Sequence, residues 1–272
     1  MGVEPILREV PMSARRQIVS FGAGTNSVAV LVGLKEHGER PDAIVFADTG
    51  GEKPHTYELI PVVSRWCEDH GFPAIVCVKG SQPQQIKDGT LEAQCLRKGE
   101  LPSKAYGGVS CSWNWKIDPF NRWVRAQSYG VKPIKLIGFD ADEPWRAERA
   151  PREGPVCVNR YPLIEWGWGR EECRAAIARA GLPQPGKSAC FFCPSSKRPE
   201  ILELRDHNPE LLTRALEMER RALAGEGHVD AFRGKGLGRS FSWARIVWEA
   251  DNQLELTLDA GAPEWDCGCY DG

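Results

Sequence analysis

The sequence predicts an α/β fold, a doubly wound parallel sheet followed by a Cys-bearing, mostly helical C-terminal part. Three observations predict it. Short apolar runs at 17–21, 43–47, 74–78 and 134–139 alternate with helical patterns. A Gly-rich turn, Gly22-Ala23-Gly24-Thr25-Asn26-Ser27, joins the first run to the first helix. Polar segments, Asp48-Thr49-Gly50-Gly51 and Asp140–Arg149, follow the second and fourth runs. Strands and helices in that rhythm imply a sheet covered on both faces, whose ligands sit at the carboxyl ends of its strands.

The elements follow in order. Gln17–Phe21 (QIVSF) is an apolar strand, and the pattern from Val28 to His37 is helical. Residues 43–47 (AIVFA) form a second, buried strand. Pro54 suits a first helical turn, so a helix runs from there to about His70, with a third strand at 74–78. A helix at 117–129 leads to the fourth strand (IKLIGF). Beyond it lie a helix at 170–180, a Pro/Gly linker at 181–187 and the Cys190-Phe191-Phe192-Cys193 turn. A long helical stretch at 201–223 is interrupted near Asn208-Pro209. We read a single domain with four parts: a flexible segment 1–16, a nucleotide-type core 17–150, a C-terminal part 151–265 and a tail 266–272.

At 272 residues the chain can bury a substantial core, and its net charge of −2 argues against a polybasic nucleic-acid binder. Arg233, Lys235, Arg239 and Arg245 nevertheless form a local basic stretch without an acid, which fits a nucleic-acid partner. No apolar run can span a bilayer, and residues 1–17 lack a signal-peptide stretch, so a cytoplasmic protein is expected. Ten cysteines in a reducing compartment point to ligands, nucleophiles and core thiols rather than disulfides. Cys67, Cys77, Cys95 and Cys173 read as structural.

The segment Ser20, Gly22, Ala23, Gly24, Thr25, Asn26, Ser27 leads into a helix N-terminus, where backbone N–H groups and the helix dipole favour phosphate or sulfate. Its glycines permit positive φ and close approach of an anion. It has neither the Lys of a Walker loop nor the dinucleotide spacing. Asp48 and Glu52, beside Thr49, either accept hydrogen bonds from a ribose or adenine amine or cap the Pro54 helix. Arg146 either clamps an oxyanion or joins an ion-pair network with Asp142, Glu143 and Arg149.

Cys190 and Cys193 have metal-ligand spacing, and Cys111 adds a third thiol. Spacing alone leaves zinc, an iron–sulfur cluster and a reducible dithiol open. Cys267 and Cys269 on the terminal Asp266–Gly272 segment suggest sulfur or redox chemistry.

Together these segments resemble the sulfonucleotide (PAPS/APS) reductase family of the adenine-nucleotide α-hydrolase-like superfamily, which also holds the PP-loop ATP pyrophosphatases. Ser20–Ser27 resembles the modified PP-loop, and Phe46–Gly50 with Glu52, Pro54, Thr56 and Tyr57 resembles the second-strand motif. Gly138–Arg146 resembles the family's arginine loop, with Asp140 where an Arg is usual. Cys111, Lys116, Pro119, Cys190 and Cys193 are similar to the segments of cluster-bearing members, with Ser112 in place of one ligand. The loop also resembles diverged PAPS-reductase-like proteins of phage, mobile-element and CRISPR systems.

The resemblance implies an adenine-nucleotide cofactor or substrate (PAPS, APS or ATP), a [4Fe–4S] cluster ahead of zinc, and Cys267 as nucleophile. It also implies Lys116 as an anion-holding catalytic residue and a thioredoxin- or glutaredoxin-like reductant as partner. The expected reaction is thiol-dependent reduction of an adenylyl sulfate to sulfite. The alternatives are ATP cleavage with sulfur transfer to nucleic acid, and a non-catalytic nucleotide-binding accessory protein. A homo-oligomer is compatible with all three.

Overall fold

The computed structural model describes residues 11–225 and 236–259. Five strands form one parallel sheet in the order β3-β2-β1-β4-β5: β1 Gln17–Phe21, β2 Ala43–Asp48, β3 Ile75–Lys79, β4 Ile134–Leu136 and β5 Val158–Arg160. The α/β class and the parallel sheet are as the alternation of patterns predicts. Because β1 pairs with β2 on one side and β4 on the other, the chain winds in both directions from β1. A crevice therefore opens between the carboxyl ends of β1 and β4.

Alternating side chains divide the core. Val19, Phe21, Ile44 and Phe46 pack into a large cluster with Val28–Val32 and Leu34 of α1 (Thr25–Glu36). The same cluster includes Leu59, Val63 and Trp66 of α2 (Pro54–Asp69). Ile18, Ala43 and Val45 face the opposite side with Phe120, Val124, Val156 and Cys157. Both sheet faces are thus buried, which is why the strands read as continuous apolar runs.

The short helices α3 (Pro83–Asp88) and α4 (Leu91–Lys98) follow β3. Next comes a continuous helical stretch: α5 (Ser110–Ser112), a π-turn Trp113–Ile117, and α6 (Asp118–Ala126). Pro119 has no N–H to give the Trp115 carbonyl one turn back, so the ladder shifts and Asp118 N–H bonds instead to Trp113 O. After β4 come α7 (Trp145–Arg149), α8 (Pro162–Glu165) and α9 (Arg170–Arg179). The sequence pattern missed β5, α3, α4, α5, α7 and α8, which at three to eight residues are below the length at which periodicity is legible, and it also missed the helix Trp243–Asp259.

Close approach explains Gly33 in α1: an added Cβ would lie 2.2 Å from the Trp166 ring, which stacks on His37 at 4.5 Å.

The chain forms two compact units, 1–94 with 110–190 and 95–109 with 191–272. The sheet lies in the first. The second holds α10 (Arg198–His207), α11 (Pro209–Leu223) and α12 (Trp243–Asp259). The break between α10 and α11 falls at Asn208-Pro209, as predicted. In the second unit the Glu219 carboxylate, 1% exposed, accepts four hydrogen bonds: Leu237 N–H (2.6 Å), Trp243 N–H (2.9 Å), Ala244 N–H (3.0 Å) and the Ser242 hydroxyl (2.8 Å). No helix among the described residues is long and apolar enough to cross a membrane.

Candidate nucleotide site at the carboxyl rim of the sheet

The Gly-rich turn after β1 closes on itself. Gly24 N–H donates to Ser27 Oγ (3.1 Å), and that hydroxyl donates back to Gly24 O (2.9 Å). Ala23, not a glycine, takes the positive φ (56°), with its methyl buried at 1% exposure. A left-handed alanine costs about 1–2 kcal/mol, so this turn stores strain at the rim. The sequence reading, which expected the glycines to supply that conformation, is corrected here. Gly24 is extended (φ −105°, ψ 173°), and an added Cβ there would make only an ordinary contact, 3.4 Å, with Ser188 Cβ. The turn ends at the N-terminus of a twelve-residue helix, whose first-turn N–H groups have no intrahelical partner. Ser20 is half-buried in β1, Thr25 and Ser27 are buried, and Gly22 O accepts a hydrogen bond from Ser188 Oγ.

The loop after β4 approaches this turn at Gly138. An added Cβ there would sit 2.9 Å from both Asn26 C and O, and 3.1 Å from Ser27 N. All three are backbone atoms, which cannot rotate away. We expect Gly138→Ala to displace the turn and weaken adenine-nucleotide affinity by at least about tenfold, roughly 1.4 kcal/mol, measured by calorimetry. Unchanged affinity would remove the turn from the site.

Asn26 is fixed from both ends. Its Nδ2 donates to Asp140 Oδ2 (2.8 Å), and its Oδ1 accepts from Arg170 Nη1 (3.0 Å). Asp140 is 3% exposed, and its Oδ1 is buried without a hydrogen-bond partner among the described residues. Arg146 ion-pairs with Glu143 (2.7 Å) and lies over the Phe139 ring at 4.3 Å, while Asp142 accepts from Arg170 N–H (2.6 Å).

After β2, Asp48 and Glu52 have different surroundings. Asp48 Oδ1 accepts from Tyr57 OH and Gly50 N–H (2.8 Å each), and Lys79 lies 3.8 Å from Oδ2. Burial and the Asp48 carboxylate together push the Tyr57 hydroxyl's pKa up. The N-cap of α2 is Lys53 with no side-chain cap, so neither acid caps that helix. Glu52 is 3% exposed, and its Oε1 accepts from Lys116 Nζ (2.7 Å) and Thr49 Oγ1 (3.4 Å). Its Oε2 is buried without a hydrogen-bond partner among the described residues. Of the two carboxylates, Glu52 carries the open acceptor.

Lys116 stands on the π-turn, which neighbouring contacts hold in place. Gln85 Nε2 donates to Asn114 O (2.5 Å) and Trp115 Nε1 to Gln94 Oε1 (3.2 Å). Pro119 is the sequence signal for that turn.

Residues 186–190 complete the rim. His55 lies against Gly186, Ser188 bonds the Gly-rich turn, and Glu52 and Cys190 form an isolated antiparallel bridge. Cys190, 9% exposed, lies 3.2 Å from Thr49 Oγ1, and its thiol faces Glu52 Oε1 at 4.0 Å. Cys190 thus joins Glu52 and Lys116, a grouping that the sequence kept separate as metal ligand, nucleotide acceptor and catalytic residue. Ser188 and Arg170 were missed altogether. Ser188 falls between the 181–187 linker and the Cys190 turn, where no period or motif marks it, and a helix-start Arg carries no motif.

Cys111 and Cys193 are half-buried. Among the described residues no three His, Cys, Asp or Glu side chains gather as a metal-holding group. Cys67, Cys95 and Cys173 are buried, as structural thiols should be, whereas Cys77 is exposed. Burial pushes the Cys157 thiol up to about 11. Cys267, Cys269, Arg233 and Lys235 lie outside the described residues. Arg239 Nε donates to Lys104 O (2.6 Å), and Arg245 ion-pairs with Glu249 (2.7 Å), so the described half of the basic stretch is engaged within the protein.

No protein-family model and no curated protein matches this chain. Among solved structures it is similar to the U34-tRNA thiolase NcsA from Methanococcus maripaludis with its [4Fe-4S] cluster, at 14% identity. The match covers 81% of this chain and 77% of that one, with a TM-score of 0.40. The functional reading rests on the site's own residues.

Proposed function

We propose that this chain is an adenine-nucleotide-binding enzyme of the PAPS reductase-like and PP-loop type, which brings a thiol to an activated sulfur or to an adenylated acceptor. The observation that carries the reading is the pairing of an anion cradle with a buried open acceptor on one sheet rim. The Gly-rich turn opens a twelve-residue helix at its N-terminus, where first-turn N–H groups favour an anion, and it meets the loop after β4 where Gly138 packs on Asn26. Glu52 Oε2 lacks a donor, which an adenine amine or a ribose hydroxyl can supply.

In the first form of the reaction the substrate is an adenylyl sulfate. The Cys267 thiolate attacks sulfur, an S–S bond forms as the S–O bond to the nucleotide breaks, and the adenosine phosphate leaves. An external dithiol of the thioredoxin class then releases sulfite and is oxidised to its disulfide. The cradle and Lys116 offset the anion's charge, with Lys116 moving between Glu52 and the ligand.

A second form, cleavage of ATP between its α- and β-phosphates to adenylate an acceptor before sulfur transfer, draws support from Asp140. Asn26 puts an amide where that chemistry favours a carboxylate, and Asp140 brings a carboxylate against that amide. Calorimetry with AMP, ATP, APS and PAPS tests the pocket, and absence of binding to all four would overturn it. Sulfite release from APS or PAPS with a dithiol, against pyrophosphate release from ATP with tRNA, separates the two forms.

A further inference from the structure

The geometry assigns Cys190 to the wall of the Glu52 acceptor, as a neutral thiol that positions this carboxylate, and not to an iron–sulfur cluster. The assignment stands on side chains of the first unit alone. Cys190 Sγ is 3.2 Å from the Thr49 hydroxyl and faces Glu52 Oε1 at 4.0 Å, inside a wall where Thr49 is 1% and Glu52 3% exposed. A cluster ligand must be a thiolate. A buried carboxylate beside it opposes that charge, and the Lys116 ammonium is bonded to Glu52 at 2.7 Å.

The backbone agrees with the side chains. Cys190 pairs with Glu52 in a bridge, so its sulfur is directed by the same contact that fixes the carboxylate. Ser112 stands where the resemblance expects another thiol, and no three-ligand group forms among the described residues. The donor set therefore does not fit the cluster. It fits a positioning role in which Thr49, Cys190 and Lys116 all contact one side of Glu52 and leave Oε2 for a ligand's N–H or O–H. That last clause rests on the nucleotide reading, whereas the assignment of the sulfur does not.

The test uses the full chain purified without oxygen, as wild type, Cys190→Ser and Glu52→Gln. Iron, zinc and acid-labile sulfide are assayed, and alkylation of Cys190 by iodoacetamide is followed by peptide mass spectrometry. We expect no stoichiometric metal or sulfide in any of the three. Glu52→Gln removes the like charge beside the sulfur, so Cys190 should alkylate about tenfold faster. Stoichiometric iron and sulfide, or zinc, in the wild type that disappears in Cys190→Ser would overturn the assignment. So would an alkylation rate indifferent to Glu52. If neither occurs and AMP and ATP still fail to bind, the nucleotide reading falls while the assignment stands.

Discussion

Glu219→Ala should cost the second unit about 3–5 kcal/mol. The carboxylate is 1% exposed and satisfies four donors. Two of them, Trp243 N–H and Ala244 N–H, belong to the first turn of α12, where no intrahelical acceptor exists and a negative charge complements the helix dipole. A third, Leu237 N–H, ties the preceding loop to α11. Truncation leaves these donors buried beside a cavity. Glu219→Gln separates charge and hydrogen bonding from volume: its amide oxygen can still accept, but its NH2 meets Ala244 N–H donor to donor. We expect that variant to lose about 1.5–3 kcal/mol, the range for a hydrogen bond to a charged group. The two units need not unfold together, so hydrogen exchange at Leu237, Trp243 and Ala244 is the readout, alongside the thermal transition. A loss below about 0.5 kcal/mol, the scale of an ordinary surface substitution, would mean that water replaces the carboxylate without penalty.

Glu219 also shows where the sequence stops being readable. Nothing in a helical run such as Leu211–Ala222 marks one Glu as a buried cap for a segment more than twenty residues away. That role is a tertiary fact. The sheet is the opposite case. Val19 and Phe21 against Ile18, and Ile44 and Phe46 against Val45, divide between two faces that must both be covered, so periodicity and length reveal the strands before any packing is known. The Gly22–Ser27 turn was legible for the same local reason, a strand ending in small residues before a helix. Its strained residue was not, because Ala23 is held left-handed by burial of its methyl rather than by intrinsic preference. The Asp48 and Glu52 alternatives were legible as a pair. They separate only once Tyr57 and Gly50 occupy Asp48, and Lys116, 64 residues along the chain, occupies Glu52. The rim's last component, Ser188 and Cys190, was hidden because a Pro/Gly-flanked segment gives no period, and paired cysteines invite a metal reading.

The Glu52–Lys116 pair predicts an asymmetry that a simple contact count would miss. The Glu52 side chain is fully buried, whereas that of Lys116 is 39% exposed. Removing the lysine strands a carboxylate in a place that water does not reach, with only Thr49 and Cys190 as weak donors. Removing the carboxylate leaves an ammonium that can turn toward solvent. Lys116→Met should therefore destabilise the first unit by about 2–4 kcal/mol. That is somewhat less than the roughly 3–5 kcal/mol of a fully buried pair, because solvent already screens the ammonium. Glu52→Gln should cost about 1 kcal/mol. The double variant should recover part of the Lys116→Met loss, with a coupling of at least about 1 kcal/mol in the cycle. Nucleotide affinity follows a different order. Lys116→Met removes the cation paired with Glu52, and Glu52→Gln alters a buried acceptor that has no partner among the described residues, so each is expected to weaken AMP binding by about tenfold, roughly 1.4 kcal/mol. Chemical denaturation and calorimetry on the same three variants read both orders at once. If Glu52→Gln proves the more damaging to stability, the carboxylate is doing more for the fold than receiving the Lys116 ammonium, and its assignment as the acceptor kept open for a ligand would have to be abandoned.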